Sequence, residues 1–428
     1  TINNQGTATN FGATGSASWT TTVKTGDFTA VAGEGYFVNT TSGEIDVALP
    51  AGTAGAVVAV KDYAGTFDTN KCILVPNGSD KIGGQALNAT LDTEGVAVTL
   101  VFVDSTQGWL ITDDGLQSKV SQSLFIAATG GTVTTVCTDY KVHTFTGPGT
   151  FCVSSIGNAA GSNTVSYMVV AGGAGGGGQE GSGGGGAGGY REGRTPQCNS
   201  WTVSPLNAPA GLPVSVQGYP ITVGAAGTGG VSPGTPQRGG TGGNSIFSTI
   251  TSAGGGGGGT HPTPSCTTGV AGGSGGGGGS RSGRPGGAGN TPPVSPSQGN
   301  NGGNAAPSST PSVLDAGGGG GGATAVGANA ADNIGGAGGA GATSSINGTP
   351  TARAGGGGGG TDPSASPGIG GAGGSGGGGA GGNAGQNGVA GTTNTGGGGG
   401  GSGKGSAPSP SCKGGAGGSG IVIIRYKF

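Results

Sequence analysis

Of the 428 residues, 114 are glycine, 8% are charged and 5% aromatic, with a formal net charge of −2. That balance argues against a nucleic-acid binder, which needs a basic stripe to release counterions. No run of about 18 apolar residues is available to span a bilayer, and the length allows roughly two to four domains.

Residues 1–18 are small and polar and read as a flexible or partner-bound lead-in. No leader-type segment is recognisable, and a start at Thr1 without Met is expected of a processed chain or a fragment. From residue 19 to 115 short β-type runs alternate with turn chemistry. Candidate strands are 19–23, 28–31, 36–39, 45–49, 56–61, 72–75, 96–103 and 109–112. Thr-Ser-Gly, Pro-Asn-Gly-Ser and Thr-Glu-Gly punctuate them, which predicts a β-sandwich or small barrel.

A linker near 115–122 opens a β connector domain over 116–170, with candidate strands at 132–137, 141–145, 150–154 and 165–170. Cys137 and Cys152 flank an expected hairpin through 146–149, so a cross-strand disulfide is geometrically reasonable. Cys72, Cys198, Cys266 and Cys412 complete the set; the alternatives are free buried thiols or further disulfides in oxidising surroundings. No CxxC or His-x₃-His spacing accompanies them, so no metal site is expected.

Residues 171–420 hold 92 of the 114 glycines. Hexaglycine runs stand at 254–259, 317–322, 355–360 and 396–401. Runs of period three, Gly-Gly-Ala or Gly-Gly-Ser, stand at 272–274, 335–340, 370–375 and 414–419. Collagen needs proline-rich triplets, which neither kind supplies. A flexible linker is what composition alone suggests. The reading that accounts for both kinds is a packed bundle of polyglycine II helices. Such a helix has about three residues per turn and no internal hydrogen bonds, so only neighbours satisfy its backbone. A surrounded helix must then be all glycine, while one at the edge carries Ala or Ser at every third position. Residues 421–428, Ile-Val-Ile-Ile-Arg-Tyr-Lys-Phe, read as a closing β-strand expected beside 165–170.

Alternating glycine runs joined by variable loops resemble the glycine-rich tip adhesins of T-even-like phage long tail fibres. Val-Ser-Tyr-Met-Val-Val-Ala-Gly-Gly-Ala-Gly-Gly-Gly-Gly (165–178) and Gly-Gly-Ala-Gly-Gly-Ser-Gly-Ile-Val-Ile-Ile-Arg-Tyr (414–426) are similar to glycine-rich domains of marine and cyanophage fibre proteins. The stretches 26–38 and 59–66 resemble β domains of such fibres. The resemblance implies receptor contact through distal loops. No individual residue carries over, and no virion-attachment module is recognisable before residue 19.

Chemistry-bearing motifs are weak. Gly-x-Gly-x-x-Gly recurs everywhere and signals nothing here. Residues 398–404 read Gly-x₄-Gly-Lys, but Gly405 stands where a phosphate-binding loop needs Ser or Thr. Asp113-Asp114 reads as a solvated turn, and His143 sits in an alternating strand without an identifiable Ser or Asp partner. Sequons at Asn39, Asn77, Asn88 and Asn347 are expected by chance in a Thr/Ser-rich chain.

Taken together, these features predict an all-β chain plus a polyglycine II bundle, with essentially no α-helix. The expected order is lead-in 1–18, β-sandwich 19–115, β connector 116–170, bundle 171–420 and closing strand 421–428. The expected function is a non-enzymatic phage tail-fibre protein and host-receptor-binding adhesin, located in the virion and extracellular. The alternative is a purely structural fibre subunit or capsid decoration protein. Expected partners are an outer-membrane protein or glycan, other tail proteins, and sister chains of a homotrimer, with neither cofactor nor nucleic acid nor membrane insertion.

Tyr190, Trp201 and Tyr219, in the longest non-glycine insert, are candidate receptor anchors, because Tyr and Trp recur at interface centres. The alternative is that Trp201 covers the base of the bundle. Counting directions back from a descending 414–420 makes all four hexaglycine runs ascend. The loops 260–270, 323–333, 361–367 and 402–413 would then share the far end. His261, Asp362 and Lys404 would lie there as receptor contacts, with a candidate Cys266–Cys412 disulfide and Cys198 as the competing partner for Cys266.

Overall fold

The computed structural model describes residues 17–113, 120–121, 124–158, 161–196, 200–231, 237–261, 267–280, 283–307, 316–362, 368–404 and 412–428. Among them the chain is all-β, with no α-helix. It divides into two compact units, 1–125 with 157–162, and 126–156 with 163–428. Residues 126–156, expected in a connector, thus share a unit with the glycine region.

The strands of the first unit are β1 Ser18–Lys24, β2 Phe28–Thr29, β3 Glu34–Val38, β4 Ile45–Ala48, β5 Val57–Asp62, β6 Cys72–Val75, β7 Ala89–Leu91, β8 Ala97–Asp104, β9 Gly108–Asp113 and β10 Val120–Ser121. They form two five-stranded sheets, ordered β1-β3-β5-β8-β9 and β10-β7-β6-β4-β2. The turn signals do not make hairpins at first. The chain alternates between the sheets from β1 to β6, so β1-β3-β5 and β2-β4-β6 are parallel neighbours. Period-two patterning still decides what is buried: Ile45 and Val47 face inward while Asp46 is exposed. They join Tyr36, Val58, Leu74, Leu100 and Trp109 in one core. Asp62, buried beside it, accepts backbone N–H bonds from Gly65, Thr66, Phe67 and Gly95, which anchors the 63–67 turn.

Cys72 is a free thiol in this core, and burial pushes its pKa up to about 12. The thiolate is the reactive form. Iodoacetamide at neutral pH should therefore modify exposed Cys137 and Cys152 in the native chain, and Cys72 only after unfolding. Mass spectrometry showing Cys72 labelled as fast as Cys137 would contradict this burial.

In the second unit the strands are β11 Ala127–Thr129, β12 Thr132–Val136, β13 Tyr140–Phe145, β14 Gly149–Ser155, β15 Thr164–Val170, β16 Tyr190–Gly193, β17 Asn207–Ala208, β18 Leu212–Pro213, β19 Gly218–Thr222, β20 Ser245–Phe247, β21 Ile250–Ser252, β22 Ala342–Ser344, β23 Thr351–Arg353 and β24 Ile421–Lys427. One sheet runs β12-β13-β24-β15-β16-β17, with β18 beside β15, and a second runs β11-β14-β19-β20-β21. The terminal strand β24 lies between β13 and β15, antiparallel to both, with Val170 opposite Ile421. Both β15 and β24 are mostly apolar, with Ser166 and Arg425 buried among the apolar side chains, because both faces of this sheet are covered. Val165, Tyr167, Val169, Val422 and Ile424 pack towards the second sheet, while Met168, Val170, Ile421 and Ile423 face the glycine region.

The hairpin expected through 146–149 does not form. β13 and β14 belong to different sheets, so this link is a corner between layers. Cys137 falls in the β12–β13 turn and Cys152 in β14 beyond that corner, and both thiols are free. The expected Cys137–Cys152 bridge is therefore absent. His143 is buried between the layers, with Nδ1 2.7 Å from Gly130 O and Nε2 3.0 Å from the Tyr426 hydroxyl. Burial lowers its pKa, and its partners mark it as a structural residue.

Beyond β15 the chain makes repeated extended passes whose backbone bonds go to other passes. The N–H groups of 172 and 175 donate to 243 and 240, those of 173 and 176 to 418 and 415, and those of 174 and 177 to 186 and 183. The next pass, 183–189, follows the same rule of three. Residues 183, 186 and 189 donate to 259, 256 and 253; 184 and 187 to 318 and 321; 185 and 188 to 399 and 396. Its carbonyls accept from 171–177, 274–277 and Gly357 of the run 355–360, so six passes surround it.

The most enclosed pass is therefore 183–189, which contains Ala187, rather than a hexaglycine run. All of 255–259, 317–322, 355–360 and 396–401 are nevertheless buried, whereas Ala337, Ala372, Ser375 and Ala416 are exposed. Ser274 departs from the edge pattern expected for 272–274, being fully buried. The chain reverses there: 270 and 273 bond to 257 and 254 in falling order, and 256 and 259 bond to 274 and 277 in rising order. On outer passes asparagine carboxamides replace missing neighbours. Asn304, Asn301, Asn383 and Asn387 accept from the N–H groups of Gly286, Gly289, Gly370 and Lys413.

Candidate functional site at the far end of the passes

The order of the bonds fixes the direction of each pass. Passes 171–178, 254–259, 355–360 and 396–401 lead away from β15 and β24, because each is antiparallel to 183–189, which descends into β16. The run 317–322 is parallel to 183–189, with bonds 184 to 318 and 187 to 321, so it descends. The direction count thus fails at this run, because the reversal at 272–274 adds a pass. Residues 323–333 are accordingly not a far-end loop. Ala323 packs in the apolar base, and 325–330 form another pass that returns to the far end.

At that far end, side chains from four separate places meet. Glu180 lies in the turn joining 171–178 to 183–189, while His261, Asp362 and Lys404 follow 254–259, 355–360 and 396–403. His261 Nδ1 stands 2.9 Å from Glu180 Oε2, although off the hydrogen-bonding direction. Lys404 Nζ stands 3.0 Å from Asp362 Oδ2 and 3.9 Å from Glu180 Oε2. His261 and Asp362 are 4% and 6% exposed, so much of this cluster is a clasp and Lys404 its more open member. Gln179 and Glu180 both hold left-handed backbone, at φ 70° and 34°, which non-glycine residues rarely adopt. Thr260 Oγ1 donates to Gly178 O and Ser280 Oγ to Glu180 O, binding neighbouring ends to this turn.

Sequence reasoning named His261, Asp362 and Lys404 but missed Glu180. The signal available was a charged residue interrupting an otherwise glycine stretch, at the first turn. Tyr190, Trp201 and Tyr219 are elsewhere and buried, at 0%, 6% and 8% exposure. Tyr190 and Trp201 cover the apolar base, and Tyr219 packs between the two sheets. They are core side chains rather than solvent-facing anchors. Arg425, fully buried, stacks on Tyr140 at 4.5 Å and Trp201 at 6.0 Å. Cys412 is a free, buried thiol, whereas Cys266 and Cys198 lie outside the described residues.

Among the described residues no group of three or more His, Cys, Asp or Glu side chains is placed to hold a metal ion. What the far end can do chemically is present fixed polar contacts on a rigid scaffold. No curated protein matches the chain. Residues 144–427 match the family described as Glycine-rich domain, and the chain belongs to that family.

Proposed function

We propose that the chain is a non-enzymatic bacteriophage tail-fibre adhesin, in which a β-sandwich unit carries a bundle of polyglycine II helices whose far end contacts a host-cell receptor. The rule of three supports the helical part. With about three residues per turn, successive N–H groups point some 120° apart and address three different neighbours in rotation. Donors 183–189 follow that rotation without a break. The observation that carries the adhesin reading is the convergence of Glu180, His261, Asp362 and Lys404 from distant parts of the chain onto one end. Loops anchored on a rigid scaffold are where binding residues concentrate.

The purified chain should bind host cells saturably and block adsorption of the phage. Lys404→Ala should weaken binding about tenfold, the loss of one charge-assisted contact, with an unchanged melt. A second reading, a structural fibre subunit, is favoured by the burial of His261 and Asp362. It predicts that Lys404→Ala lowers the melting temperature and that no cell surface is bound. Assembly as a homotrimer through the β units belongs to the same proposal, and light scattering of the full chain checks it.

A further inference from the structure

The passes around 183–189 close into a ring: 171–178 bonds to 254–259, that to 274–279, and onward through 317–322, 355–360 and 396–401 back to 171–178. In hexagonal packing each ring member has one outer neighbour that touches no other ring member. Five such neighbours are present: 224–230 on 171–178, 285–289 on 274–279, 325–330 on 317–322, 370–375 on 355–360 and 386–391 on 396–401. Against 254–259 no described segment takes that place. The outer passes on either side, 237–243 and 267–272, each bond to 254–259 but share no backbone bond.

The unfilled place has a chemical signature. Every N–H from 171–178, 183–189, 274–279, 317–322, 355–360 and 396–401 has an acceptor, and Gly254 donates to Asn244 Oδ1. Gly257 is the exception: its N–H has no acceptor among the described residues, although its carbonyl accepts from Val270. The equivalent N–H groups of Gly319 and Gly400 donate to carbonyls of the outer passes, Ala328 and Val389. Arg238 reaches across from one flanking pass to Thr268 on the other, with Nη2 2.8 Å from Thr268 Oγ1. Its Nε is buried without a partner, and no carboxylate pairs with it among the described residues. Two donors without an acceptor among the described residues thus lie beside the place that no outer pass fills.

Resting on the polyglycine II reading, we propose that this groove docks an extended segment of a partner protein, with glycine at every third position and an acidic side chain. The segment would enter as the missing outer helix. One of its carbonyls accepts from Gly257, and its carboxylate meets Arg238. A small residue at every third position follows from the filled places: in 325–330 only Gly327 and Ala330 are buried, while Val326 and Asn329 are exposed, and a Cβ at Gly327 would stand 2.1 Å from Gly319 O. Residues 1–16 of this chain contain no Asp or Glu to meet Arg238. A second copy has no free pass to lend, since its glycine passes are already bonded to one another.

The test uses the full chain, labelled with ¹⁵N, and two synthetic peptides, repeats of Gly-Ala-Asp and of Leu-Ala-Asp. The glycine peptide should bind and move the Gly257 amide proton downfield while leaving Gly319 and Gly358 in place. Arg238→Gln should weaken that binding at least tenfold with an unchanged melt. Three results would each overturn the docking groove while the Gly319 and Gly358 amides stay protected from exchange. They are no shift at Gly257, equal binding of the leucine peptide, and a concentration-dependent Gly257 shift without peptide, which would make a second copy the occupant. Rapid exchange at Gly319 and Gly358 would instead refute the helical reading beneath it.

Discussion

Gly357→Ala should destabilise the glycine region by about 3 kcal/mol or more, the upper range for forcing atoms into a closed interior. A methyl at this position would stand 2.1 Å from the Gly399 carbonyl oxygen. The atom it meets is backbone, which cannot rotate away. Gly357 also donates to Gly185 O and accepts from Gly320, so a shift that relieved the clash would break bonds to two further passes. Gly319→Ala carries the same penalty against Ala337 O, at 2.0 Å. Ala416→Ser and Ala337→Ser add a hydroxyl at exposed positions and should change stability by no more than about 0.5 kcal/mol. Thermal melts of the four variants decide the matter, and equal tolerance at both classes would reject the close backbone packing.

A loss of about 3–5 kcal/mol is expected for Glu192→Ala, the range for stripping one partner from a buried charged network. Glu192 is 1% exposed. Its Oε2 accepts from the Tyr190 hydroxyl at 3.1 Å and the Ser204 N–H at 2.9 Å, and its Oε1 from Ser344 Oγ at 2.6 Å. It therefore ties the insert after β16 to β22, across the apolar base. Arg353 is buried nearby: burial pulls its pKa down, and Tyr190 and Glu192 oppose that pull. Truncation would leave three donors unmet and a buried guanidinium without its counter-charge. Glu192→Gln keeps the volume but loses that charge, and should fall between wild type and Ala in urea denaturation. If Glu192→Ala melted like wild type, the carboxylate would not be holding these elements.

Much of the β architecture was legible from local patterning. The run 45–49 marked a strand, and the runs 165–170 and 421–428 marked strands at either end of the glycine stretch. The pairing of those two runs followed from their positions at either end of the glycine stretch. What local patterning did not carry was partner choice. The turns between early strands look like hairpin turns, yet they cross between sheets and make parallel neighbours, because a turn's residues do not specify which strand lies beside it. The corner at 146–149 misled for the same reason and placed Cys137 and Cys152 in a hairpin that does not exist.

In the glycine region the sequence by itself determined most of the positions that tolerate a side chain, the buried Ser274 and Ala187 being exceptions. A Cβ facing a neighbouring backbone is excluded at about 2 Å, so exposed Ala337, Ala372 and Ala416 recur in threes while hexaglycine runs stay buried. Only the tertiary structure decided which pass sits at the centre, which way each one runs, and what meets at the far end. Glycine has no side chain with which to encode a neighbour, so identical runs can exchange places without any local cost. The assignments come instead from sparse non-glycine residues: the Gln179-Glu180 turn, the reversal at Ser274, and the apolar base that receives Ala187, Ala323 and Ala354. Each of these acts over distances in the chain that no local window contains, which is why Glu180, beside His261 and Lys404 in space, was invisible as their partner in the sequence.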